Sequence, residues 1–365
     1  TPQVEVNSHY DTAAKTYSLS FEQSCPATPG QSHKKPFVIP IKLGLVGADG
    51  KDLPLNTQGD TSIVFSLYDT NQTLVFEKIQ QPPVPSLLRG FSAPIKLNYD
   101  FSSAELAHLM AHDSDGFNRW DAGQKLSLLV LNKLIDDAIA NRELVMDQQL
   151  ISVLGDLLSD HSLDPAMVNL MLQLPSEAQL HEQAETIYVE PIHRAREFAR
   201  QSIATALENE LVATYQRLTE TQAYAPQADQ IGRRALRNCA LGYLMNVDGV
   251  GSELAWQQFN SASNMTDKAA SLSALVNCKT AQNYAVQALK VFEQDYADET
   301  LAMNLWLQVQ ATCKLTNGLD RVKALMDHSA FNINNPNKAR SLLGAFCSAN
   351  PINFHHADGS GYDFL

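Results

Sequence analysis

Two short stretches of the sequence carry imidazoles at a spacing that could bind a metal ion. HEQAE at 181–185 begins like the zinc-binding helix His-Glu-x-x-His, in which two imidazoles four residues apart share one helix face. Its fifth residue is Glu185 rather than His, and no third ligand follows in the stretch, so a solvated helix face is favoured. HLMAH at 108–112 has two imidazoles, His108 and His112, but no Glu between them, so an exposed helix end is favoured there.

Other stretches with reactive residue types also lack a complete set. The adjacent pair His355–His356 would point in different directions from any helix or strand. GYLMN at 242–246 lies within an apolar helical run, which indicates core. SASNMTD at 261–267 is rich in hydroxyls, but the chain contains no Gly-x-Ser-x-Gly elbow and no Gly-rich phosphate loop, so Asn264 or Thr266 is interpreted as a helix cap. The sequence offers no catalytic constellation of its own.

The charge of the chain excludes two classes of partner. The net charge is −13, and residues 1–100 carry only eight basic against nine acidic residues, so almost all of the excess acidity lies after residue 100. Nucleic acid and anionic membranes repel such a surface, and no clustered basic patch compensates for it. We therefore expect neither nucleic acid nor a membrane as a partner.

The cysteines and the hydropathy pattern indicate a cytoplasmic protein. The five cysteines are odd in number and form no Cys-x-x-Cys pair, which is typical of free thiols in a reducing compartment. No stretch approaches the roughly 18 apolar residues of a membrane span, and no signal-peptide pattern opens the sequence. The first residue is Thr1 and the last residues, YDFL, end within an apolar run, so we expect both ends to be cut from a longer chain.

Apolar residues up to about residue 100 recur with a period of two. TYSLSF at 16–21, IPIKLGL at 39–45 and SIVFSL at 62–67 each place their apolar side chains on one face, which predicts half-buried strands. Turn residues separate these strands, and the prolines of QQPPVPSLLRGFSAP at 80–94 indicate an edge or a crossing. Short strands of this kind predict an immunoglobulin-like antiparallel β-sandwich over residues 1–100.

The pattern after residue 100 is helical to the end of the chain. Ser102 or Ser103 can cap the first helix, a second is predicted over 116–140, and about a dozen helices follow with no further strand. No fixed repeat period is detectable, so residues 101–365 predict a large all-α domain of stacked helical hairpins in an irregular superhelical arc. The protein is thus expected to be multidomain and mainly α, with a short, rigid junction near 98–103.

One predicted helix start carries an unexpected charge. In NNPNKARSLLGAF, Asn335 can serve as N-cap and Pro336 as the first helical residue. Lys338 and Arg340 then follow at the end of a helix that normally favours acidic residues. These cations require a partner, and Lys338 is expected to be the more exposed of the two.

Six long segments, spaced in order along residues 1–365, resemble one known family. They are PATPGQSHKKPFVIPIKLGL, QPPVPSLLRGFSAPIKL, FNRWDAGQ, NMTDKAASLSAL, NPNKARSLLGAF and GSGYDF. Together they resemble the later half of bacterial aminopeptidase N, the zinc metallo-aminopeptidases of the M1 class. The resemblance implies a parent with four domains, of which only the last two, a small β-sandwich and a helical domain, match this chain.

The resemblance also implies where the chemistry lies. The zinc ligands, the peptide-clamping loop and the catalytic Tyr of the family belong to a catalytic domain that would precede Thr1, so no catalytic or metal residue and no cofactor is expected in this chain. Zinc is expected in the parent's catalytic domain. The family continues for several helices beyond the position of Leu365, so the helical domain is expected to be truncated.

The implied function is that of a non-catalytic part of an aminopeptidase that removes N-terminal residues from peptides. In such enzymes the helical arc closes over the catalytic domain and controls peptide access. Arg340 is then a candidate for binding the C-terminal carboxylate of a peptide, because a guanidinium can donate two parallel hydrogen bonds to it. Two alternatives stay open: Arg340 pairs with an acidic neighbour between helices, or the whole chain is a free-standing helical-repeat scaffold for protein partners.

Overall fold

A computed structural model describes residues 1–365, and the chain forms two compact units. The first comprises residues 1–129 and 148–157, and the second comprises residues 130–147 and 158–365. The division between the units runs through two helices rather than through the change from strands to helices near residue 100.

Two β-sheets build most of the first unit. The strands are β1 (Gln3–Asp11), β2 (Thr16–Ser24), β3 (Ile39–Val46), β4 (Ile63–Leu67), β5 (Asn71–Phe76), β6 (Val84–Leu87) and β7 (Lys96–Asn98). One sheet has the order β5-β2-β1-β7 and the other β4-β3-β6. All pairs are antiparallel except β1 with β7, which is parallel and so departs from the purely antiparallel expectation.

The period of two in the sequence corresponds to the inner faces of these sheets. Tyr17, Leu19 and Phe21 of β2 are buried, as are the alternating apolar residues of β3. The proline-containing segment forms β6 at the edge of the three-stranded sheet, where Pro85 removes one hydrogen-bond donor. The three strands predicted by periodicity and the edge position of β6 are confirmed.

The rest of the chain is helical, with no strand after Asn98. The helices are α1 (Ser103–His112), α2 (Gly116–Ile139), α3 (Gln148–Ser159), α4 (Pro165–Leu172), α5 (Glu177–Gln183), α6 (Val189–Ala206), α7 (Glu208–Arg217), α8 (Ala228–Leu244), α9 (Val250–Ser261), α10 (Met265–Val276), α11 (Gln282–Tyr296), α12 (Thr300–Ala311), α13 (Gly318–Met326), α14 (Pro336–Ala339), α15 (Ala345–Ala349), α16 (Pro351–Phe354) and α17 (Ser360–Phe364). A π-helical segment, Arg340–Gly344, joins α14 to α15. None of the helices combines the length and the apolar character that a membrane span requires.

Local capping explains where several helices begin. Ser102 caps α1 in a capping box with Glu105, so the first of the two predicted caps is correct. Asn264 caps α10 by accepting a hydrogen bond from the Asp267 amide, and Asn335 caps α14 with Pro336 in the first turn. The last helices are shorter than sequence periodicity suggests, because Pro351 and a glycine of positive φ at 359 interrupt them.

A buried arginine connects the sheets of the first unit to α1. Arg89, only 3% exposed, donates two hydrogen bonds to the Asp52 carboxylate, with nitrogen–oxygen distances of 2.7 and 3.0 Å. Its Nη2 also lies 3.2 Å from Oδ1 of Asp113, the residue that follows α1. Burial would raise the pKa of the Asp52 carboxyl, but hydrogen bonds from Arg89 and Ser114 lower it.

The residue of β3 that lies beneath the Arg89 guanidinium must be glycine. A Cβ added to Gly44 of β3 would lie 2.2 Å from Cζ of Arg89, so any side chain there would displace the guanidinium. Asn118 of α2 adds a second connection by donating from Nδ2 to the carbonyl of Leu87 and to Oγ of Ser86, both at 2.9 Å. The start of the helical region is therefore fixed to β6 by buried hydrogen bonds.

A buried carboxylate plays the corresponding role in the second unit. Glu177, the first residue of α5, accepts on Oε1 both the ammonium of Lys314, at 2.6 Å, and Nδ1 of His193 on α6, at 2.9 Å. Lys314 lies in the segment after α12, 137 residues along the chain. This single oxygen connects three separate segments of the helical unit.

We expect Arg89→Met to make the junction near residues 99–103 sensitive to dilute protease, whereas the unchanged chain resists cleavage there. The substitution leaves Asp52 and Asp113 without their buried cation, which costs about 3–5 kcal/mol. Limited proteolysis followed by mass spectrometry measures this. Lys42→Met, an exposed position on β3, is the matched control. Rapid cleavage of the unchanged chain at this junction would contradict the rigid connection.

We expect Glu177→Gln to lower the free energy of unfolding of the chain at pH 7 by about 3 kcal/mol. The pKa of the Glu177 carboxyl is about 2 in the folded chain against an ordinary 4.5, so its stabilisation is complete above about pH 4.5 and is lost as the pH falls through about 2. The difference between variant and parent, followed by circular dichroism, should therefore shrink on acidification. Glu182→Gln, an exposed position on α5, should show no such pH-dependent difference.

Candidate functional site

Helix α6 presents two distinct faces within the second unit. Ile192, Ala195, Ala199 and Ile203 recur at helical spacing and are all buried. The neighbouring stripe carries charged or titratable side chains at the same spacing, namely His193, Arg196, Glu197 and Arg200. The apolar stripe fixes the rotation of α6, and this in turn fixes the direction of the polar stripe.

The polar stripe of α6 lines three neighbouring cavities. A cavity of about 940 Å³ is bordered by His193 and Lys314, and a second of about 500 Å³ shares these two residues and adds Arg200. A third, of about 600 Å³, is bordered by Arg196 and again by Arg200. We call these three cavities, which share lining residues, the α6 cleft. Its volumes are in the range of sites that bind small molecules or short peptides.

Beside one end of the α6 cleft, Oε1 of the Glu177 carboxylate accepts two hydrogen bonds, from Lys314 and from His193. Burial alone would raise the pKa of Glu177, but the hydrogen bond from His193 and the charge of Lys314 lower it to about 2. Glu177 therefore remains ionised. The ammonium of Lys314, which borders two of the cavities, donates one of its three protons to Glu177.

In the middle of the cleft, one carboxylate lies between two guanidinium groups. Oε1 of Glu197 is 3.6 Å from Nη1 of Arg196 and 3.8 Å from Nη1 of Arg200, and it accepts no hydrogen bond although it is buried. Arg196 donates instead from Nε to the carbonyl of Pro175, and Arg200 from Nη2 to the carbonyl of Gly242, both at 2.9 Å. The Glu197 carboxylate and the two guanidinium groups are thus opposite in charge but not joined by short hydrogen bonds.

The same residues provide the closest approach to a metal-ligand set. One ligand atom each from Glu177, His193 and Glu197 lies within 4.8 Å of the others. Lys314 already occupies the position beside Glu177 at 2.6 Å, and the two guanidinium groups lie beside Glu197. A metal cation would have to displace an ammonium and enter a group of three cations, so the donor set does not fit a metal.

The sequence-predicted site residue, Arg340, lies elsewhere on the second unit. It begins the π-helical segment and is exposed, on a stripe with Gly344 and Ser348. Its guanidinium forms no ion pair. Lys338 is half-buried because it lies on the opposite stripe with Leu342, so the expectation that Lys338 is the more exposed of the two is wrong.

The histidine stretches do not form metal sites. Helix α5 ends at Gln183 and Ala184 is extended, so His181 and Glu185 never share a helix face. The rings of His108 and His112 lie 4.9 Å apart, and Nε2 of His108 is already 2.8 Å from the carbonyl of Gly47.

The other two stretches also have structural partners. Nδ1 of His355 lies 2.6 Å from the hydroxyl of Tyr362, and Nδ1 of His356 lies 2.9 Å from Oδ1 of Asp358, so the adjacent rings face different groups as expected. In GYLMN, Tyr243 is buried and donates its hydroxyl to the carbonyl of Leu172 at 2.6 Å. This confirms the interpretation of that stretch as core. All five cysteines are free.

Sequence reasoning did not identify the α6 cleft. Glu177, Lys314 and Arg200, which lie in or beside it, come from separate segments of the chain and have no motif spacing. The one available signal was HRAREFAR at 193–200, which places His and three Arg residues in eight positions of an acidic chain. A basic face of that kind on a predicted amphipathic helix deserved separate consideration.

Two family models match the chain. A domain of unknown function with an Ig-like fold matches residues 1–100, and a second domain of unknown function, described as ARM repeats, matches residues 103–365. The second match covers most of the chain, and it describes the helices as repeats although their sequences show no fixed period.

Curated relatives and solved structures are similar over the whole chain. Aminopeptidase N of Escherichia coli K12 is 35% identical and that of Caulobacter vibrioides 36% identical; each alignment covers 100% of this chain but only 42% and 41% of the relative. The structure of Legionella pneumophila aminopeptidase A in complex with aspartic acid has a TM-score of 0.81 and 29% identity, and the match covers 100% of this chain and 41% of that one. The chain thus spans less than half the length of these relatives.

These comparisons agree with the fold, in which a small β-sheet unit with an Ig-like topology precedes a large helical region. Since the helical family model matches residues 103–365, the chain belongs to the DUF3458_C family of ARM-repeat domains, and it is similar over its whole length to a part of bacterial aminopeptidase N.

Proposed function

We propose that this chain is the non-catalytic C-terminal part of a cytoplasmic zinc aminopeptidase that removes N-terminal residues from peptides. The observation that carries the proposal is the similarity of the whole chain to about two fifths of relatives named aminopeptidase N. The absence of a fitting metal donor set in this chain is compatible with zinc held by another domain. Within the chain we propose a β-sandwich domain over 1–100 and a helical domain over 101–365.

The helical domain is proposed to cover the catalytic domain and to control which peptides enter. The α6 cleft supports this role, because it offers cavities of the right size for short peptides and too small for a folded protein. The missing N-terminal and catalytic domains are then the partners of this chain, and peptides reach it through the parent enzyme.

A free-standing scaffold for protein partners is the second candidate, and the description of the helical region as ARM repeats favours it. The sequence encoded upstream of Thr1 distinguishes the two. A His-Glu-x-x-His motif followed by a Glu roughly twenty residues later would support the aminopeptidase. An upstream sequence without such a motif would leave the scaffold as the better interpretation.

We expect the purified chain alone to hydrolyse no alanyl chromogenic substrate and to bind no stoichiometric zinc. The reason is that Lys314, Arg196 and Arg200 already occupy the surroundings of the only clustered Glu and His ligands. Elemental analysis and a peptidase assay check this. Turnover that persists after removal of contaminating peptidase, or one tightly bound zinc per chain, would overturn the assignment of the chemistry to a missing domain.

Arg340 is proposed to bind the C-terminal carboxylate of the peptide in the parent enzyme. It is exposed, has no carboxylate partner in this chain, and opens a π-helical turn, a distortion that is frequent at functional sites. The alternative is that Arg340 pairs with an acidic residue of another domain.

In the parent enzyme we expect Arg340→Ala to raise KM about tenfold or more for tri- and tetrapeptides with a free carboxylate, while amino-acid anilides are barely affected. A charge-assisted hydrogen bond contributes about 1.5–3 kcal/mol, and Arg340→Lys should recover only part because it lacks the bidentate fork. Lys338→Ala is the matched control. Equal losses for peptides and anilides, together with a lower melting temperature, would assign Arg340 a structural role instead.

A further inference from the structure

The cavity of about 600 Å³ at the Arg196 end of the α6 cleft has an unusual charge for this chain. Two arginines, Arg196 and Arg200, line it, and no carboxylate does. The chain as a whole carries a net charge of −13, so a cavity whose only charged lining residues are two arginines is the exception. Half-buried Ala235, Cys239 and Ala270 give the same cavity an apolar wall.

Arg196 and Arg200 each have guanidinium N–H groups that make no hydrogen bond within the chain. Arg196 commits Nε to the carbonyl of Pro175, and Arg200 commits Nη2 to the carbonyl of Gly242. Each guanidinium has five N–H protons, so most of them remain without a short hydrogen bond. Glu197 does not satisfy them, since its Oε1 stays at 3.6 and 3.8 Å and accepts no hydrogen bond.

Arg196 and Arg200 share one nearby carboxylate, that of Glu197, so the two cations are not balanced by an equal number of anions. Burial and the nearby charge of Arg200 both lower the pKa of Arg196, which means that its cation is held at a cost in the absence of a further anion. A second carboxylate placed between the two guanidinium groups would supply the missing hydrogen bonds and charge.

We propose that Arg196 and Arg200 bind the C-terminal carboxylate of a short peptide, with the preceding side chain against the apolar wall of Ala235, Cys239 and Ala270. The guanidinium pair accounts for the carboxylate, and the apolar wall accounts for a peptide rather than a small inorganic anion. This site is separate from Arg340, and the choice of a peptide as the ligand rests on the proposed function.

Isothermal titration calorimetry of the 365-residue chain tests the proposal. Tri-alanine with a free carboxylate should bind, tri-alanine amide should bind at least about tenfold more weakly, and acetate or sulfate should bind more weakly than tri-alanine. The acid and amide differ only at the group that the arginines recognise. Binding of sulfate as tightly as tri-alanine would identify a general anion site and overturn the peptide assignment.

Variants on α6 locate the binding. Arg200→Gln and Arg196→Gln should each weaken the binding of tri-alanine about tenfold or more, and Arg200→Lys should retain part of it. Arg194→Gln is the matched control on the same helix, because its guanidinium donates to the carbonyl of Ala138 and lines a different cavity. Circular dichroism melting of each variant separates a loss of binding from a loss of folding. If a Gln variant does not fold, the binding of tri-alanine to Arg200→Lys is compared with that of the unchanged chain instead.

Three results would refute the site: equal binding of acid and amide, unchanged binding in both the Arg196 and Arg200 variants, or an equal loss in Arg194→Gln. None of these results depends on a catalytic domain. Failure of this site therefore leaves the aminopeptidase proposal intact, and failure of the upstream motif test leaves the binding measurements valid.

Discussion

The helical unit depends on one carboxylate oxygen. Oε1 of Glu177 receives both the ammonium of Lys314 and Nδ1 of His193, so it holds the start of α5, the side of α6 and the segment after α12 at fixed distances. Such a group must remain ionised, since a protonated carboxyl would leave the half-buried ammonium of Lys314 unpaired. The hydrogen bond from His193 and the charge of Lys314 ensure this by lowering the pKa of Glu177. The polar stripe of α6 faces the cleft because this oxygen and the buried alanines on the neighbouring stripe, Ala195 and Ala199, together fix the rotation of the helix.

Charge is balanced unevenly along that stripe. At the Glu177 end, Oε1 accepts two short hydrogen bonds, one from Lys314 and one from His193. Around Glu197, the same kinds of groups meet at 3.6 and 3.8 Å without a hydrogen bond to its inner oxygen. A long, loosely satisfied ion pair contributes little to stability. The contrast between the two ends is therefore better explained by a requirement for binding at the second end than by a requirement for folding.

Local features of the fold were predictable from sequence, and contacts between distant segments were not. Ser102, Asn264 and Asn335 act as caps because capping is decided within four residues, and the strands of the core follow from a period of two. The HLMAH stretch was expected to be an exposed helix end, yet Asp113 directly after it is buried, because Arg89 lies against it from 24 residues earlier. The α6 cleft was missed for the same reason, since Lys314 reaches Glu177 across 137 residues that no local pattern connects.

The segments that carried the family resemblance are themselves long-range connections. Asn118 of FNRWDAGQ donates to Leu87 and Ser86 within the proline-rich segment, so two of the recognised stretches are partners in space. In NMTDKAASLSAL, the buried Asp267 accepts hydrogen bonds from Asn238 of α8 and from the cap residue Asn264. Residues of this kind hold distant helices and strands in their arrangement, which is why the segments that contain them carry the family resemblance. A function inferred for this chain must therefore come from what the arrangement surrounds, and the α6 cleft is the part of it whose charges the fold alone does not explain.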